Sequence, residues 1–386
     1  ETAARAEGLT PGRFRFRARQ PGATHDSGVV HLVPRTKDEP FKLLLASCFY
    51  RDTGRGGTYR AMLSSLYCQD AHLRLLLGDN LYFDVRARAH WHVPYPGMPG
   101  AHDDVVSAYA RYWLGQDGYG ESLADKPSLA TFDDHEFWND YPEAPHLGLG
   151  LGFAARREQF AAAARAGVDY FQMPLNPEVS LVRRSFEWDE SPLISLFMLD
   201  VRTDRTSVDE PTPHMLEDGA LLAMELWAAT LDRPGVLVLG QPLWIARGNQ
   251  FDRTPPDFDD DYGRIWQALA RAPFDVLVVS GDVHHSRALR VDVPVKDESG
   301  NPTHVTVHEV VSSPASEVWT PFPSPGGYEI PVTISARVPD STRRRRLRLS
   351  EFFFGTMTPK TLGTLTFRHK REGTVSVSVA FIDGDG

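Results

Sequence analysis

DVLVVSGDVHH, residues 275–285, is an apolar run that stops on Ser-Gly and delivers Asp282 and His284 immediately afterwards. The run is short, rich in β-branched valine and bounded by polar residues, which predicts a strand buried on both faces. The same form recurs in FKLLLAS (41–47), LRLLLG (73–78), SLATF (128–132), SLFML (195–199) and VLVLG (236–240). Helix-like segments, FAARREQFAAAARAGVDYF and DGALLAMELWAATL, lie between several of these runs. Alternation of strands and helices predicts an α/β fold with a parallel or mixed sheet covered by helices. HVTVHEVVSS, PVTISARV, TLGTLTFRH and TVSVSVAF come later in the chain, without intervening helices. They read as antiparallel strands that complete a second sheet.

The 386 residues permit one large domain or two ordinary ones, and no shift of composition or fixed-period repeat marks a boundary. One domain over 41–386 is therefore expected, preceded by a short extension, 1–40, with a strand at RFRFRA. Residues 87–104, ARAHWHVPYPGMPGAHDD, read as a long loop, a feature that is often functional. No apolar run approaches the roughly 20 residues of a membrane span. The opening ETAARAEGLT lacks the apolar stretch of a signal peptide. A net charge of −10 and a pI near 5.8 argue against nucleic acid as the main partner, leaving it only as a substrate. The basic run Arg343–Arg346 with Arg348 reads equally as a solvated loop or an anion site. The two cysteines, Cys48 and Cys68, make no disulfide scaffold. Cys68 reads as a buried residue of a helix, and Cys48 stays open between a core thiol and a ligand.

The chemistry sits in the residues just past each apolar run. Cys48 comes after the first, Asp79 after the second, and Asp133, Asp134 and His135 after the third. Asp200, Gln241 and the pair Asp282 and His284 come after the others. Carboxyl ends of strands in an open α/β sheet form the ligand crevice, so these groups converge on one edge. Crowded carboxylates repel unless cations sit among them. Two metal ions about 3.5–4 Å apart relieve that repulsion and make an in-line displacement site. The soft Cys48 and the hard Asp residues predict one softer and one harder metal position.

The motifs Ser47-Cys48, GDNLY (78–82), DDHE (133–136), Asp200-x-Arg202-x-x-Arg205, SGDVH (280–284) and HEVVSSP (308–314) resemble the alkaline phosphatase D family. That family is a branch of the calcineurin-like metallophosphoesterases. The resemblance implies a four-layer α-β-β-α sandwich of two mixed sheets flanked by helices. It implies a phosphatase that hydrolyses small phosphomonoesters, phosphodiesters or both, with metal-activated hydroxide as nucleophile. Cys48, Asp79 and His284 would hold the first metal, ferric iron, with Asp79 bridging to the second. Asp134 and Asp282 would hold the second metal, calcium, with magnesium, manganese or zinc as alternatives. Tyr109 is the phenol expected on the iron, with Tyr112 and Tyr82 as rivals. His135 would protonate the leaving group, while Asn139 and Arg202 would face the phosphate. Gln241 stands where many relatives carry a metal-binding histidine. The family suggests secretion or a periplasmic location after signal removal, and the sequence leaves a cytoplasmic one open.

Competing readings remain for single residues. Arg202 could instead pair with Asp200 or Asp204, and His90, His92 and His102 could form a third metal site or a lid. GLGLGFAARREQF (148–160) imitates a dinucleotide fingerprint, but no strand precedes it, so it reads as a loop before a helix. Neither a phosphate-loop GxxxxGK[ST] nor a GxSxG elbow occurs, which disfavours NTPases and the common serine hydrolases. The rivals to a phosphatase are a phosphodiesterase or nuclease of the same superfamily and a calcium-stabilised binding protein without activity.

Overall fold

A computed structural model describes residues 13–20, 23–31, 33–50, 66–83, 101–114, 119–120, 123, 126–144, 154–177, 184–248, 252–297, 301–315, 337–338, 347–351, 361–370 and 374–383. Each of the six apolar runs forms a strand. They are β3 (Phe41–Ala46), β4 (Leu73–Leu77), β5 (Ser128–Thr131), β7 (Ser195–Met198), β8 (Gly235–Val238) and β9 (Val276–Ser280). The helices are α1 (Leu66–Gln69), α2 (Ala101–Tyr112), α3 (Ala154–Gly167), α4 (Asp218–Thr230) and α5 (Asp259–Arg271). Strands β1 (Arg13–Gln20) and β2 (Ala23–His31) pair with each other as an antiparallel hairpin and, among the described residues, with no other strand.

Two mixed sheets result. The first runs β13 (Leu347–Glu351), β15 (Val375–Asp383), β14 (Thr361–His369), β3, β4, β5, with the last three parallel. The second runs β12 (Arg337–Val338), β10 (Arg287–Asp297), β11 (Pro302–Val311), β9, β8, β7, β6 (Phe186–Trp188). The C-terminal strands thus do not form one sheet as expected. β10 and β11 extend the second sheet, whereas β14 pairs antiparallel with β3 in the first. An alternating pattern specifies a half-buried strand but not the edge it joins, which is why the sequence misassigns them. The long loop also begins its helix early, since 101–104 open α2; residues 84–100 and 341–346 lie outside the described residues.

Period-two alternation explains the layers. Phe41, Leu43 and Leu45 of β3 meet Val236, Val238, Leu277 and Val279 in the core between the sheets. Leu44 and Ala46 point the other way, into a core shared with α2 and α3. Leu237, Val276 and Val278 likewise face α4 and α5. In α5 the residues Tyr262, Ile265, Trp266 and Leu269 recur at helical spacing and are buried. Each such leucine or isoleucine contributes about 1.5–3 kcal/mol of burial. Helices therefore flank two facing sheets, in four layers.

The two sheets pinch together where their parallel strands end. A side chain on Gly240 would begin 2.5 Å from the Phe132 carbonyl oxygen. One on Gly281 would begin 2.5 Å from the Ser47 side chain and 2.8 Å from the Leu77 carbonyl oxygen. Glycine is what lets the strand ends of opposite sheets approach. Gly281→Ala should therefore cost about 1–3 kcal/mol, by overpacking. Gly263→Ala on α5, whose added methyl would meet nothing within 4 Å, should instead stabilise by about 0.5–1 kcal/mol. Urea unfolding of both variants checks this, and a harmless Gly281→Ala would contradict the close approach.

Candidate metal centre

Among the described residues, five other than glycine hold a left-handed backbone: Cys48 (φ 54°), Asp79 (φ 53°), Asp140 (φ 62°), Asp282 (φ 70°) and His284 (φ 51°). Such conformations are costly for side-chain-bearing residues and cluster at functional sites. Cys48, Asp79, Asp282 and His284 lie just past the ends of β3, β4 and β9, where the kink breaks the strand direction, and Asp140 lies in the turn beyond Asp134. Gly78 (φ 85°) precedes Asp79 and makes the turn without a side chain.

The side chains meet in three overlapping groups, each with ligating atoms within 4.8 Å of one another. Cys48, Asp79 and His284 form the first; Asp79, Asp134 and His135 the second; Asp133, Asp134 and Asp282 the third. Asp79 joins the first two groups and Asp134 the last two, so the array is continuous. Its Cys48 end is built from both sheets. The Cys48 sulfur lies 3.5 Å from Asp79 Oδ2 and accepts from the hydroxyl of Ser313 at 3.0 Å. The Tyr82 hydroxyl donates to Asp79 Oδ2 at 3.0 Å and lies 3.2 Å from His284 Nε2. The ring of Tyr82 sits 4.2 Å from that of His135.

Tyr82, not Tyr109, is therefore the phenol that the structure brings to Cys48 and Asp79. The Tyr109 hydroxyl accepts from Gln172 at 2.9 Å, and its ring stacks on Phe171 at 4.6 Å in the outer core. Tyr112 belongs to that core too. Arg202 is fully buried, and its Nε donates to Asp133 Oδ1 at 2.6 Å. Its partner is neither Asp200 nor Asp204, and it backs the carboxylates from behind instead of opening onto solvent. Asp200 caps the turn, accepting from the backbone N–H groups of Arg202 and Thr203. Asn139 is exposed. Gln241 accepts from Arg205 at 2.7 Å and donates to Asp282 Oδ2 at 3.1 Å, so it braces the carboxylate end. Cys68 is buried in the outer core, as expected. His90 and His92 lie outside the described residues, and His102 lies on the exposed side of α2.

Two carboxylates that sequence reasoning missed border the array. Asp140 donates its backbone N–H to Asp134 Oδ2 and accepts from the Arg253 N–H at 2.7 Å. Asp252 feels the charges of Asp282, Asp134 and Asp140. Neither comes directly after a strand, so no strand-end signal marks them. Nothing in the spacing of DDHE separates the roles of its four residues either.

Electrostatics favour cations here. Burial, then Cys48, pushes Asp79 well above the carboxylate range. Burial likewise lifts Asp133 and Asp252, and it lifts Asp140 to about 7. Asp134, unlike these, falls below its ordinary value: burial opposes its charge, but His135 and Arg202 outweigh burial. Burial also takes the Cys48 thiol to about 12 and His284 down to about 4, leaving a neutral imidazole. Asp133 Oδ2, Asp134 Oδ1 and Asp140 Oδ2 are buried without a hydrogen-bond partner. Orphaned acceptors beside repelling carboxylates, a thiol and a neutral imidazole fit metal ions of two kinds.

This fold and this array define a metal-dependent phosphoesterase as the class. The chain matches the family model of the PhoD-like phosphatases over residues 43–248, more than half its length, and belongs to that family. Asp282 and His284 lie beyond the matched range, yet the fold returns His284 to Cys48 and Asp79, and Asp282 to Asp133 and Asp134. Among solved structures, one described as "Structure of PhoD" superposes with a TM-score of 0.60 at 17% identity. The match covers 94% of this chain and 74% of that one, and it shows a common fold. No curated protein matches the chain by sequence. The protein is thus a phosphatase of an alkaline phosphatase D type family, a hydrolase that works with metal ions. Among the described residues, no helix is long and apolar enough to cross a membrane.

A raised carboxylate keeps its proton in the metal-free protein, and a cation must displace that proton. The stability these carboxylates contribute is present below their unfolded value near 3.8 and is lost as pH rises through about 7 for Asp140. Metal-induced stabilisation should run the opposite way. The gain in Tm on adding Mn²⁺ should be small near about pH 5 and grow as the pH passes about 7. A gain that is the same at both ends would contradict proton displacement.

Proposed function

We propose that this chain hydrolyses phosphate esters, monoesters, diesters or both, at a dinuclear centre within the strand-end array. The observation that carries the reading is the continuity of that array through the two shared residues, Asp79 and Asp134. In this reading Cys48, Asp79, His284 and Tyr82 would hold the softer metal, ferric iron, with Asp79 shared by the second position. Asp134 and Asp282 would hold the harder metal, calcium, magnesium or manganese, which oxygen donors suit. Metals bound there lower the pKa of the attacking water and neutralise phosphoryl oxygens.

The remaining steps belong to side chains. Asp133, fixed by Arg202, keeps the turn that carries Asp134 and His135 facing Asp79. The buried Arg202 acts through that carboxylate, and Asn139, at the exposed margin, is the polar side chain proposed to meet the substrate. His135 gives a proton to the departing alkoxide oxygen. The attacking and leaving oxygens lie on opposite sides of phosphorus, so a general acid must stand apart from the nucleophile. His135 also lies within ligating reach of Asp79 and Asp134.

Purified protein should carry close to two metal ions per chain and lose activity on chelation. Asp79→Asn should lose more metal than Cys48→Ser, which should shed the softer ion selectively. Turnover of nitrophenyl phosphate beside its bis-nitrophenyl diester places the preference between monoesters and diesters. Full activity after exhaustive chelation would end the proposal.

His135→Ala tests the acid role. Esters with alkyl leaving groups should lose about 10²–10⁴-fold in kcat/KM at normal metal content, while nitrophenyl esters should lose far less. An unchanged slope against leaving-group pKa would remove His135 from that role. Equal losses with depleted metal would make it a ligand instead.

A further inference from the structure

One carboxylate beside the array faces away from it. Glu136 is fully buried, one residue past His135, yet it joins none of the three ligating groups. Its Oε2 accepts from the backbone N–H groups of Asp79 and Asp133, both at 3.0 Å. Its Oε1 accepts from the Asn80 N–H at 2.8 Å and from Gln172 Nε2 at 3.3 Å. Four protein donors thus occupy both oxygens.

The ladder between β4 and β5 ends at the pair Leu77 and Thr131. Beyond that pair the ladder stops although the chains stay close, a side chain on Gly78 beginning 2.8 Å from that of Asp133. The N–H groups of Asp79, Asn80 and Asp133 bond Glu136 instead of a strand. Buried backbone donors need acceptors, and here one side chain supplies them for both strand ends. The left-handed turn at Asp79 presents its N–H to Glu136 while its carboxylate reaches Cys48 and Tyr82. Asp133 returns the bond, since its side chain caps the turn that carries Glu136. Gln172 fixes the far side, accepting from the Asn80 side chain at 3.0 Å while it donates to Glu136 and Tyr109.

We infer that Glu136 is a positioning residue, a clip across the ends of β4 and β5 that sets the spacing between Asp79 and Asp134. It neither binds metal nor touches substrate. A glutamine in its place keeps one acceptor oxygen but turns an N–H₂ group toward backbone donors. The strand ends then part, and the bridging carboxylate leaves its place. This inference rests on the array being a metal centre.

The test is Mn²⁺ affinity, measured by calorimetric titration of chelator-stripped protein alongside the Tm of the metal-free form. Glu136→Gln should weaken Mn²⁺ binding by roughly tenfold or more, the range for groups that orient metal ligands. Excess Mn²⁺ should restore part of kcat. Ile265→Val, in the core under α5, serves as a variant of comparable Tm loss and should bind Mn²⁺ like the parent protein. Equal affinity in Glu136→Gln and Ile265→Val would reduce Glu136 to ordinary fold support and overturn the inference. If Glu136→Gln does not fold, Gln172→Met, which removes a single donor from the clip, should weaken Mn²⁺ binding several-fold. Unchanged affinity there would overturn the inference too. A parent protein that binds no Mn²⁺ would instead sink the metal centre itself, so the two failures are distinct.

Discussion

Repulsion among buried carboxylates is the constraint on which the rest of this structure turns. Asp79, Asp133, Asp134, Asp140, Asp252 and Asp282 lie close enough to shift one another's ionisation, and burial raises most of them. Two buried guanidinium groups stand behind them. Arg202 pairs with Asp133, and Arg205 reaches the cluster through Gln241 and packs over Phe258 at 4.9 Å. Removing one member of a buried ion pair is costly because the other charge is left without a partner. Two arginines do not balance six carboxylates, and the carboxylate oxygens left without partners mark where further positive charge belongs.

Such crowding is tolerable only because the surrounding fold is rigid and closely packed. Both faces of the parallel strands are buried, so the strands cannot slide without exposing leucine and valine to water. At their carboxyl ends Gly240 and Gly281 let the sheets touch, which brings Cys48 and Asp79 from one sheet to Asp282 and His284 from the other. The left-handed residues sit at that contact. Their strain is offset by the packing of the strands behind them and by bonds such as that of the His284 N–H to the Ser313 hydroxyl. Chemistry in this protein is therefore a property of strand ends, and stability a property of strand middles.

That division also decides what can be read without a structure. A strand buried on both faces writes itself as a continuous apolar run, so each of the six runs and its terminal Cys, Asp or His is legible. The placement of β14 beside β3 is not, because an alternating strand carries no mark of its neighbour. β10 and β6 pass unnoticed for a related reason: RALRVDVPVKD interleaves charges, and FEW is only three residues long. In the site, GDNLY contains both Asp79 and Tyr82, yet Tyr82 stands in the sequence only as a rival to Tyr109, because spacing does not show that the left-handed turn brings it back to Asp79. Tyr109, the phenol that the family resemblance favours, proves to be packed against Phe171. Glu136 is visible in the DDHE motif, but its work on backbone N–H groups depends on where the ladder between β4 and β5 stops, which spacing does not encode.

Crystals grown with Mn²⁺ and measured at the manganese absorption edge test the metal centre most directly. Anomalous difference density should show two peaks in the strand-end gap, with Asp79 between them. One peak should be bounded by Cys48, Tyr82 and His284, the other by Asp134 and Asp282. Density confined to the protein surface, with Asp79 still hydrogen-bonded to Tyr82 and no peak beside it, would contradict a dinuclear centre in this chain.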